Sequence, residues 1–554
     1  MYLGRNDDYW AKRGVPFLPR MGFFDLLRIS FKKSMVEVFQ EMFGKPELGR
    51  VLGGFEGTKP NLVISDPDLL RDVLVKDFHF FPYRRMIPTG DPIADNMVTI
   101  VTGENWKRIR TIITPAFTSK RMRQMSSIMN ECSQSVLEVC ETQYHKGEPV
   151  DCKGLFATFT MDVIARSAFG TQIDSHNDPQ NVFVRKVRES FETFTIPRIV
   201  FPNVGVSPQQ LHQGHGLAAR HNASPQKTVG SGLLSLQKVA MLFILCSSAF
   251  SALLPLWMLK RLPVSLNPFR MDKDNFFKNV TMKVIQKRKE TGRRYNDFLQ
   301  LMMDAGEENT RGENVEVVED ETDRFGSITN NGLSTSVKYK SLTADELLAQ
   351  CVLFFMVGYE TTANILSFVA YCLAVNPEWQ EKLIKEVDEA FGKHEEMSYD
   401  AVREMKILDA VVSETLRMHP TITSGERTAV EDYVLGNTGI VVEKGMRILF
   451  PTLAMHYDPE FFQDPKTFNP ERFMDSYEPK HPQHAYLPFG AGPRNCLGMR
   501  FALLEIKMCI SNLLRKFRLK PHSTTKVPLE YKKGMILLSI ADLPLTVEKR
   551  KDVN

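Results

Sequence analysis

One cysteine lies in a segment whose residue types and spacing could do chemistry. Cys496 stands in FGAGPRNCLG, residues 489–498, where Gly490, Gly492 and Pro493 favour a tight turn that brings the backbone close to a flat ligand. A helix is predicted to begin just after it. A sulfur at the start of a helix meets free N–H groups and the positive end of the helix dipole, and both favour a thiolate over a thiol. The pattern therefore predicts that Cys496 acts as a thiolate.

The other cysteines have no comparable setting. The chain contains no CxxC pair and no short-spaced cysteine framework, which argues against a disulfide scaffold or a zinc site and favours a reducing, cytosol-facing location. An isolated cysteine is usually a small buried apolar residue. That interpretation applies to Cys132, Cys140, Cys152, Cys246, Cys351, Cys372 and Cys509.

A long apolar helix is predicted over residues 344–375, and it contains polar residues that a core helix rarely carries. Thr343 and Glu346 have capping-box spacing at its start, and Asn376-Pro377 ends it. The segment is apolar nearly all round, which is typical of a buried helix. Its middle nevertheless holds a glycine, which costs about 1 kcal/mol relative to alanine, and three polar side chains. The residues that indicate a functional site here are Gly358, Glu360, Thr361 and Thr362.

Two other pairs of residues have a spacing that would bring polar groups together. Glu414 and Arg417 are three apart, so they share one helix face and can pair, although an ordinary surface ion pair would show the same spacing. Trp106 and Arg110 are four apart on another predicted helix. An Arg fork and an indole N–H both suit a carboxylate, so this face could bind an acidic group.

The elements that must position these residues are mostly helices. Apolar residues at three- and four-residue spacing predict helices over 120–145, 273–292, 377–391 and 498–517, and short strands are predicted near 59–65, 433–449 and 535–548. Residues 204–236 and 304–325 have loop-like compositions and are expected to be solvated. The net charge of +4 on 554 residues gives no indication of nucleic-acid binding.

Taken in order along the chain, these motifs resemble the cytochrome P450 family. FGAGPRNCLG matches the family's cysteine-loop pattern FxxGxRxCxG at every fixed position, a match expected by chance on the order of 10⁻⁷ per window. ETLR at 414–417 resembles its ExxR element, and PERF at 470–473 resembles the motif that follows. WKRIR at 106–110 resembles its WxxxR element. The similarity runs from about residue 2 to 548 and is strongest to the microsomal drug- and steroid-oxidising clan and its arthropod relatives.

The same family has an oxygen-binding groove of the form [Ala/Gly]-Gly-x-[Asp/Glu]-Thr-[Thr/Ser] in a long helix. Residues 357–362 resemble it, and Val357 departs from the pattern at the first position, where a larger side chain could narrow the groove. The resemblance implies that Thr361 hydrogen-bonds the oxygen being activated and that Glu360 helps to relay protons.

The resemblance implies a mainly α fold with small β-sheets, in which residues 31–548 form a single large domain around a buried haem. Cys496 would be the axial iron ligand, and thiolate ligation favours O–O bond cleavage. The other expected haem contacts are Phe489, Arg494, Arg84, Trp106, Arg110 and Arg427. Glu414, Arg417 and Arg472 are expected to form a buried structural cluster beneath the cysteine loop. The expected substrate pocket, mostly apolar, is Ile93, Phe355, Val357, Thr421, Ile422 and Met535.

The implied function is a monooxygenase that inserts one atom of O₂ into a lipophilic small molecule, with electrons from NADPH. Two alternatives remain open from the sequence. One is a haem-thiolate isomerase that rearranges a peroxide, although the member of the clan that does so lacks the groove threonine, and Thr361 therefore favours oxygen activation. The other is an inactive haem-binding splice product. A need for NADPH in turnover would distinguish these functions.

The resemblance also implies partners and a location. Electrons are expected from NADPH–cytochrome P450 reductase, and the protein is expected to be a monomer that binds no nucleic acid. The basic residues predicted to dock the reductase are Lys107, Arg108, Lys120, Arg121 and Arg123.

A location on the cytosolic face of the endoplasmic reticulum membrane, peripheral or monotopic, is expected. Residues 1–30 are interpreted as a solvated, membrane-proximal linker without the family's anchor helix. The uncharged run 239–259, interrupted by Pro255, is expected to lie in the membrane interface. Residues 204–236 have no counterpart in the family pattern and are predicted to be an exposed, poorly ordered insertion far from the haem.

Overall fold

The structure is a computed structural model. It describes residues 8–18, 32–43, 49–56, 59–85, 91–171, 276–295, 297–307, 341–394, 396–478, 480–533 and 537–551, together with residues 175, 182, 185 and 186. The predicted insertion 204–236, the apolar run 239–259 and the pocket candidate Met535 lie outside the described residues.

Helices make up most of the described chain, as the sequence predicts. The four helices expected from apolar periodicity are present, with ends within a few residues of the predicted bounds. In chain order the α-helices are α1 Met35–Phe43, α2 Pro67–Arg71, α3 Pro92–Asp95, α4 Gly103–Ile113, α5 Ser119–Lys146, α6 Cys152–Phe169, α7 Phe276–Thr291, α8 Phe298–Glu307, α9 Ala344–Val375, α10 Pro377–Lys393, α11 Tyr399–Glu404, α12 Lys406–Met418, α13 Thr452–His456 and α14 Met499–Lys516.

Small β-sheets lie beside the helices. A four-stranded sheet has the order β1-β2-β7-β4, in which β2 and β7 run parallel and the outer pairs run antiparallel. A three-stranded antiparallel sheet has the order β3-β9-β8, and β5 pairs with β6. The strands are β1 Val51–Glu56, β2 Lys59–Ile64, β3 Val150–Asp151, β4 Gly425–Thr428, β5 Tyr433–Val434, β6 Val441–Val442, β7 Arg447–Phe450, β8 Phe517–Pro521 and β9 Pro544–Lys549.

The central helix α9 runs through the main hydrophobic core. The predicted capping box is present, since Thr343 Oγ1 accepts from the Glu346 N–H and Glu346 accepts from the Thr343 N–H. The helix is long and apolar enough to cross a membrane, but 78% of its most apolar window is buried inside the protein. It is therefore the core helix that the sequence predicts.

Three details differ from the sequence-based expectations. Among the described residues, the strand predicted near 535–548 begins only at Pro544; before it, the Leu538 N–H donates to Thr421 O, outside the sheets. The predicted loop 304–325 starts within α8, which continues to Glu307. The N-terminal segment is not fully solvated, since Trp10 is buried and its Nε1 donates to Gly54 O at 2.9 Å.

One buried acid in α14 lies outside the motifs described above. Glu505 is 1% exposed, and neither carboxyl oxygen has a hydrogen-bond partner among the described residues. Burial raises the pKa of Glu505 well above its ordinary value of 4.5, because desolvation disfavours the charged form. The folded protein therefore keeps a proton here that the unfolded chain loses above about pH 4.5.

Replacing Glu505 by glutamine should stabilise the protein, and more so at higher pH. Because the pKa of Glu505 is higher in the folded state than in the unfolded chain, the unmodified protein has its full stability below pH 4.5. It loses part of that stability as the pH rises towards the folded-state pKa of Glu505. At pH 7 the gain in the free energy of unfolding should reach up to about 3 kcal/mol. Thermal unfolding at pH 6 and pH 8 measures the effect, with the exposed Glu138→Gln as control. An equal gain at both pH values, or none, would contradict a neutral buried Glu505.

Candidate functional site

The cysteine loop is a tight turn that only glycine permits at two positions. Gly490 and Gly492 have φ angles of +70° and +71°, in the left-handed region that residues with a β-carbon rarely adopt. A β-carbon on Gly492 would also overlap the carbonyl oxygen of Leu74. The loop is closed by a bond from the Cys496 N–H to Phe489 O at 2.9 Å. The glycines predicted from sequence therefore have the conformational role expected of them.

Cys496 differs from the other described cysteines in its surroundings. Its side chain is exposed, whereas the other described cysteines are buried. Desolvation by the surrounding protein raises the pKa of Cys496 above its ordinary value; the Gly498 N–H, Arg110 and Arg84 act in the opposite direction without reversing the rise. The thiolate expected from the sequence therefore depends on coordination to a metal. The sulfur thus lies in a recess, at the start of α14 as predicted, with cations nearby. Coordination to a metal deprotonates a thiol outright, so this sulfur is suited to be a metal ligand.

Four arginines from distant parts of the chain come together beside this sulfur. Burial, followed by the charge of Arg84, lowers the pKa of Arg494 to about 8 and that of Arg427 to about 9. Burial lowers the pKa of Arg110 to about 10. Among the residues that the structure describes, none of the four forms an ion pair with a carboxylate. Such a cluster is costly to bury, and it suits a ligand that brings its own negative charges.

The hydrogen bonds of Arg494 give it a role different from that of the other three arginines. Arg494 donates to the carbonyls of Pro82, Val98 and Val101 at 2.9, 3.2 and 3.0 Å, and its guanidinium lies 4.0 Å from the centre of the Trp106 ring. It therefore ties the cysteine loop to the preceding segments.

The remaining arginines keep donors free for a ligand. Arg84 donates to Arg494 O at 2.9 Å, and Arg110 donates to Asn495 Oδ1 at 2.8 Å. Arg427 Nε is buried without a hydrogen-bond partner among the described residues. An orphaned donor of this kind calls for an acceptor supplied by a ligand.

These features fit a haem. The Cys496 sulfur would be the iron ligand, Phe489 would lie in the turn beside it, and Arg84, Arg110 and Arg427 would receive the two propionate carboxylates through charge-assisted hydrogen bonds. Trp106 and Arg110 share one face of α4, as predicted, so the helix brings both towards the same edge of the site. A cysteine ligand and a cationic edge are the arrangement expected of a haem-thiolate protein.

Comparison with known proteins gives the family. The family model described as Cytochrome P450 matches residues 14–219 and 232–547, leaving unmatched a stretch within the segment 204–236. Cytochrome P450 3A9 of Rattus norvegicus is 31% identical over 100% of this chain and 94% of its own length. Cytochrome P450 3A5 of Homo sapiens is 31% identical over 99% and 94%, and Cytochrome P450 6B2 of Helicoverpa armigera is 29% identical over 100% and 96%. The chain belongs to the cytochrome P450 family, and it is a haem-thiolate monooxygenase.

The groove residues of α9 point in two directions. Thr361 Oγ1 donates to the carbonyl of Val357 one turn earlier, and Val357 itself is 43% exposed in a mostly buried helix. Glu360 instead faces α6, where Lys153 Nζ lies 2.9 Å from its Oε1, and Ser539 Oγ lies 3.3 Å from the same oxygen. The sequence did not indicate Lys153, because nothing in its local pattern distinguishes it from a surface lysine.

The expected pocket residues differ in exposure. Val357 and Ile422 are exposed apolar side chains, at 43% and 54%. Ile93 is buried, and Phe355 packs against Phe169 with ring centroids 5.2 Å apart. Thr421 is buried, and its hydroxyl has no hydrogen-bond partner among the described residues. The two exposed apolar residues are therefore the ones that could contact a ligand without rearrangement.

The predicted structural cluster is present and fully buried. Arg417 donates from Nε and Nη2 to the two oxygens of Glu414 at 2.7 and 2.9 Å, and both side chains are inaccessible. Arg472 Nε lies 3.4 Å from Glu414 Oε1. The ordinary surface ion pair, left open by the sequence, is thereby excluded.

His456 extends this cluster to the cysteine loop, and nothing in the sequence pattern identifies it. The Leu487 N–H donates to His456 Nε2 at 3.0 Å, so Nδ1 carries the proton and donates to Arg417 O at 3.0 Å. Burial lowers the pKa of His456 to about 3, which keeps the ring neutral. A neutral histidine thus joins the ExxR helix to the start of the loop.

Proposed function

We propose that this monooxygenase inserts one oxygen atom from O₂ into a lipophilic small molecule, with electrons from NADPH. The observation that carries the proposal is one face of α9, where the exposed apolar side chain of Val357 lies one turn from the hydroxyl of Thr361. This face offers apolar contact for a substrate beside a group that can hold a proton. Haem held by Cys496 would supply the oxygen activation itself.

Proton handling is assigned to the polar residues of the groove. The Thr361 hydroxyl holds its proton towards Val357 O and can turn to donate it to a reacting oxygen. Glu360, the adjacent residue, takes part in the proton relay from the α6 side, where Lys153 and Ser539 hold its carboxylate. Burial lowers the pKa of Lys153, and the Glu360 carboxylate only partly offsets this. The ammonium therefore gives up a proton more readily than an exposed lysine, which supports a relay through Glu360.

Replacing Thr361 by alanine should uncouple electron consumption from product formation. Positioned acid–base groups typically accelerate a step by roughly 10²–10⁴, so we expect NADPH oxidation to continue while most of the flux goes to hydrogen peroxide. Product, peroxide and NADPH are measured together in the enzyme reconstituted with reductase. Thr361→Ser, which keeps the hydroxyl, should restore coupling.

Two results would contradict this proposal. Unchanged coupling in Thr361→Ala would remove the role assigned to the hydroxyl. Turnover of a lipid peroxide without NADPH or reductase would instead favour a peroxide-rearranging enzyme, and haem binding with no NADPH consumption would favour an inactive protein.

NADPH–cytochrome P450 reductase is the proposed electron donor. The predicted docking residues are only partly available as free positive charges. Arg108 pairs with Glu346 and donates to Ser341 O at 2.8 Å, and Arg123 pairs with Asp400 at 3.0 Å. Lys120 is exposed. Lys107 pairs with Glu104 at 2.9 Å. We therefore assign the contact mainly to Lys120.

We propose a peripheral or monotopic position on the cytosolic face of the endoplasmic reticulum membrane, as a monomer. Exposed apolar side chains support a membrane-facing surface on the small sheets. Phe17 forms an isolated parallel β-bridge with Gly53 of β1, and its side chain is exposed. The cross-strand neighbours Val434 and Val441 are exposed on the β5–β6 hairpin. Glu443 links the two regions, because Tyr9 and Arg13 both donate to its carboxylate.

A further inference from the structure

Helix α6 contacts three consecutive residues in the turn 357–361 of α9, which carries the groove residues. Lys153 pairs with Glu360 at 2.9 Å, and the Thr160 hydroxyl lies 3.0 Å from the carbonyl oxygen of Tyr359. The third contact is at Gly358, where a β-carbon would come within 2.7 Å of the Ile164 side chain. One face of α6 therefore borders the turn that carries Thr361.

The contact made by Thr160 is a hydrogen bond between two helices, buried away from solvent. Thr160 is completely buried, and its hydroxyl lies 3.0 Å from Tyr359 O and 3.2 Å from Ala157 O within its own helix. A hydroxyl has one proton, so it can donate to only one of these carbonyls at a time. The bond to Tyr359 is the shorter one, and it joins α6 to α9.

The same turn of α9 receives a second side-chain bond, from within the helix itself. Thr361 Oγ1 donates to Val357 O, so the carbonyls of residues 357 and 359 each accept from a hydroxyl. The bond of Thr361 to the carbonyl four residues earlier in its own helix is of a kind that often bends a helix. Gly358, between the two, has no side chain to stiffen the turn. The shape of this turn therefore depends on which hydroxyls hold its carbonyls.

We propose that Thr160 is a positioning residue for the oxygen groove. Its bond to the Tyr359 carbonyl fixes the turn 357–361 against α6 and so sets the direction of the Thr361 hydroxyl. Thr160 does not touch the substrate or the haem; it acts through the backbone of α9. The inference rests on the proposed role of Thr361 in oxygen activation.

Thr160→Val tests this, because valine keeps the shape of threonine and removes the donor. In the haem-loaded enzyme with reductase, we expect the thiolate-type ferrous–CO band to remain and peroxide per NADPH to rise roughly 2- to 10-fold, the effect of one net hydrogen bond. Hydrogen–deuterium exchange supplies a readout independent of activity, and the amides of residues 357–363 should exchange faster by a similar factor.

Two variants serve as controls. Thr160→Ser keeps the hydroxyl and should restore both coupling and exchange protection. Thr158→Val is the matched control, since Thr158 lies in α6 and its buried hydroxyl donates to Gly154 O at 3.0 Å within the same helix. It should behave like the unmodified protein in both measurements.

The outcomes separate this inference from the proposed function. If Thr361→Ala uncouples the enzyme while Thr160→Val shows normal coupling and normal exchange, the role of Thr160 is overturned and that of Thr361 stands. If Thr361→Ala stays coupled, the proposed proton delivery fails, whatever Thr160→Val does to exchange. Thr160→Ala is measured as a further variant. If Thr160→Ala and Thr160→Val both lose haem while Thr158→Val binds it normally, Thr160 has a purely structural role. That result would also overturn the inference.

Discussion

Replacing Cys496 by serine should abolish monooxygenase activity and remove the red-shifted ferrous–CO band of thiolate ligation. Serine is smaller and presents a hydroxyl, whose pKa is far higher than that of a thiol. It also donates less electron density to a metal than a thiolate does. The Gly498 N–H and the nearby Arg84 and Arg110 favour an anion here, but they do not reverse the rise that burial causes in the pKa of the Cys496 thiol. They are too weak to ionise an alcohol, so the serine hydroxyl would not replace the thiolate on iron.

The fold should survive this substitution. The Cys496 side chain is exposed, and the backbone bond from its N–H to Phe489 O does not depend on the side chain. Circular dichroism and thermal unfolding of the haem-free protein should therefore match those of the unmodified chain. Cys140→Ala is the matched control, because Cys140 is buried in α5 and has no part in the proposed site. It should keep the band.

An unchanged ferrous–CO spectrum in Cys496→Ser would refute the ligand assignment. A histidine-type spectrum in the unmodified protein would do the same.

The local motifs were predictable from the sequence because their residues are close together in it. The cysteine loop needs glycines at two left-handed positions, and the capping box of α9 needs Thr343 and Glu346 three residues apart. Both requirements can be recognised within ten residues of sequence. The buried pair of Glu414 and Arg417 belongs to the same category, since one helical turn brings the two together.

The long-range contacts of the site could not be predicted. Lys153 and Glu360 are 207 positions apart, and only the packing of α6 on α9 brings them together. His456 is 39 positions from Arg417 and is a common residue in a common setting until the fold buries it. Nothing in the sequence indicates that Glu505 is buried, because helical periodicity alone does not predict that an acid will face a core.

Replacing Glu414 by glutamine should destabilise the whole protein more than any other single change considered for this site. Both Glu414 and Arg417 are inaccessible to solvent, and the carboxylate also accepts from the Asn469 N–H at 2.8 Å. Glutamine keeps the size of the side chain but leaves Arg417 and Arg472 without a counter-charge. Breaking a buried pair in this way typically costs about 3–5 kcal/mol, a large part of the stability of a folded protein.

The measurements are the thermal midpoint of the haem-loaded protein and the yield of haem-loaded protein on expression. We expect a clear fall in both. Glu381→Gln is the matched control, since Glu381 pairs with Arg518 at 2.7 Å but the carboxylate is about half exposed. A surface pair contributes about 0–1 kcal/mol, so this variant should change neither quantity noticeably. Equal effects in the two variants would mean that the buried cluster has no special role.

The damage from Glu414→Gln should reach the cysteine loop before the protein unfolds. Arg417 donates to His456 O at 2.7 Å, and His456 in turn accepts the Leu487 N–H next to the loop. A shift of Arg417 therefore moves the residues that hold Phe489 and Cys496. On heating, the thiolate-type ferrous–CO band of the variant should be lost at a lower temperature than its helical circular dichroism. If the two are lost together, the cluster stabilises the fold as a whole, and the connection through His456 does not control the loop.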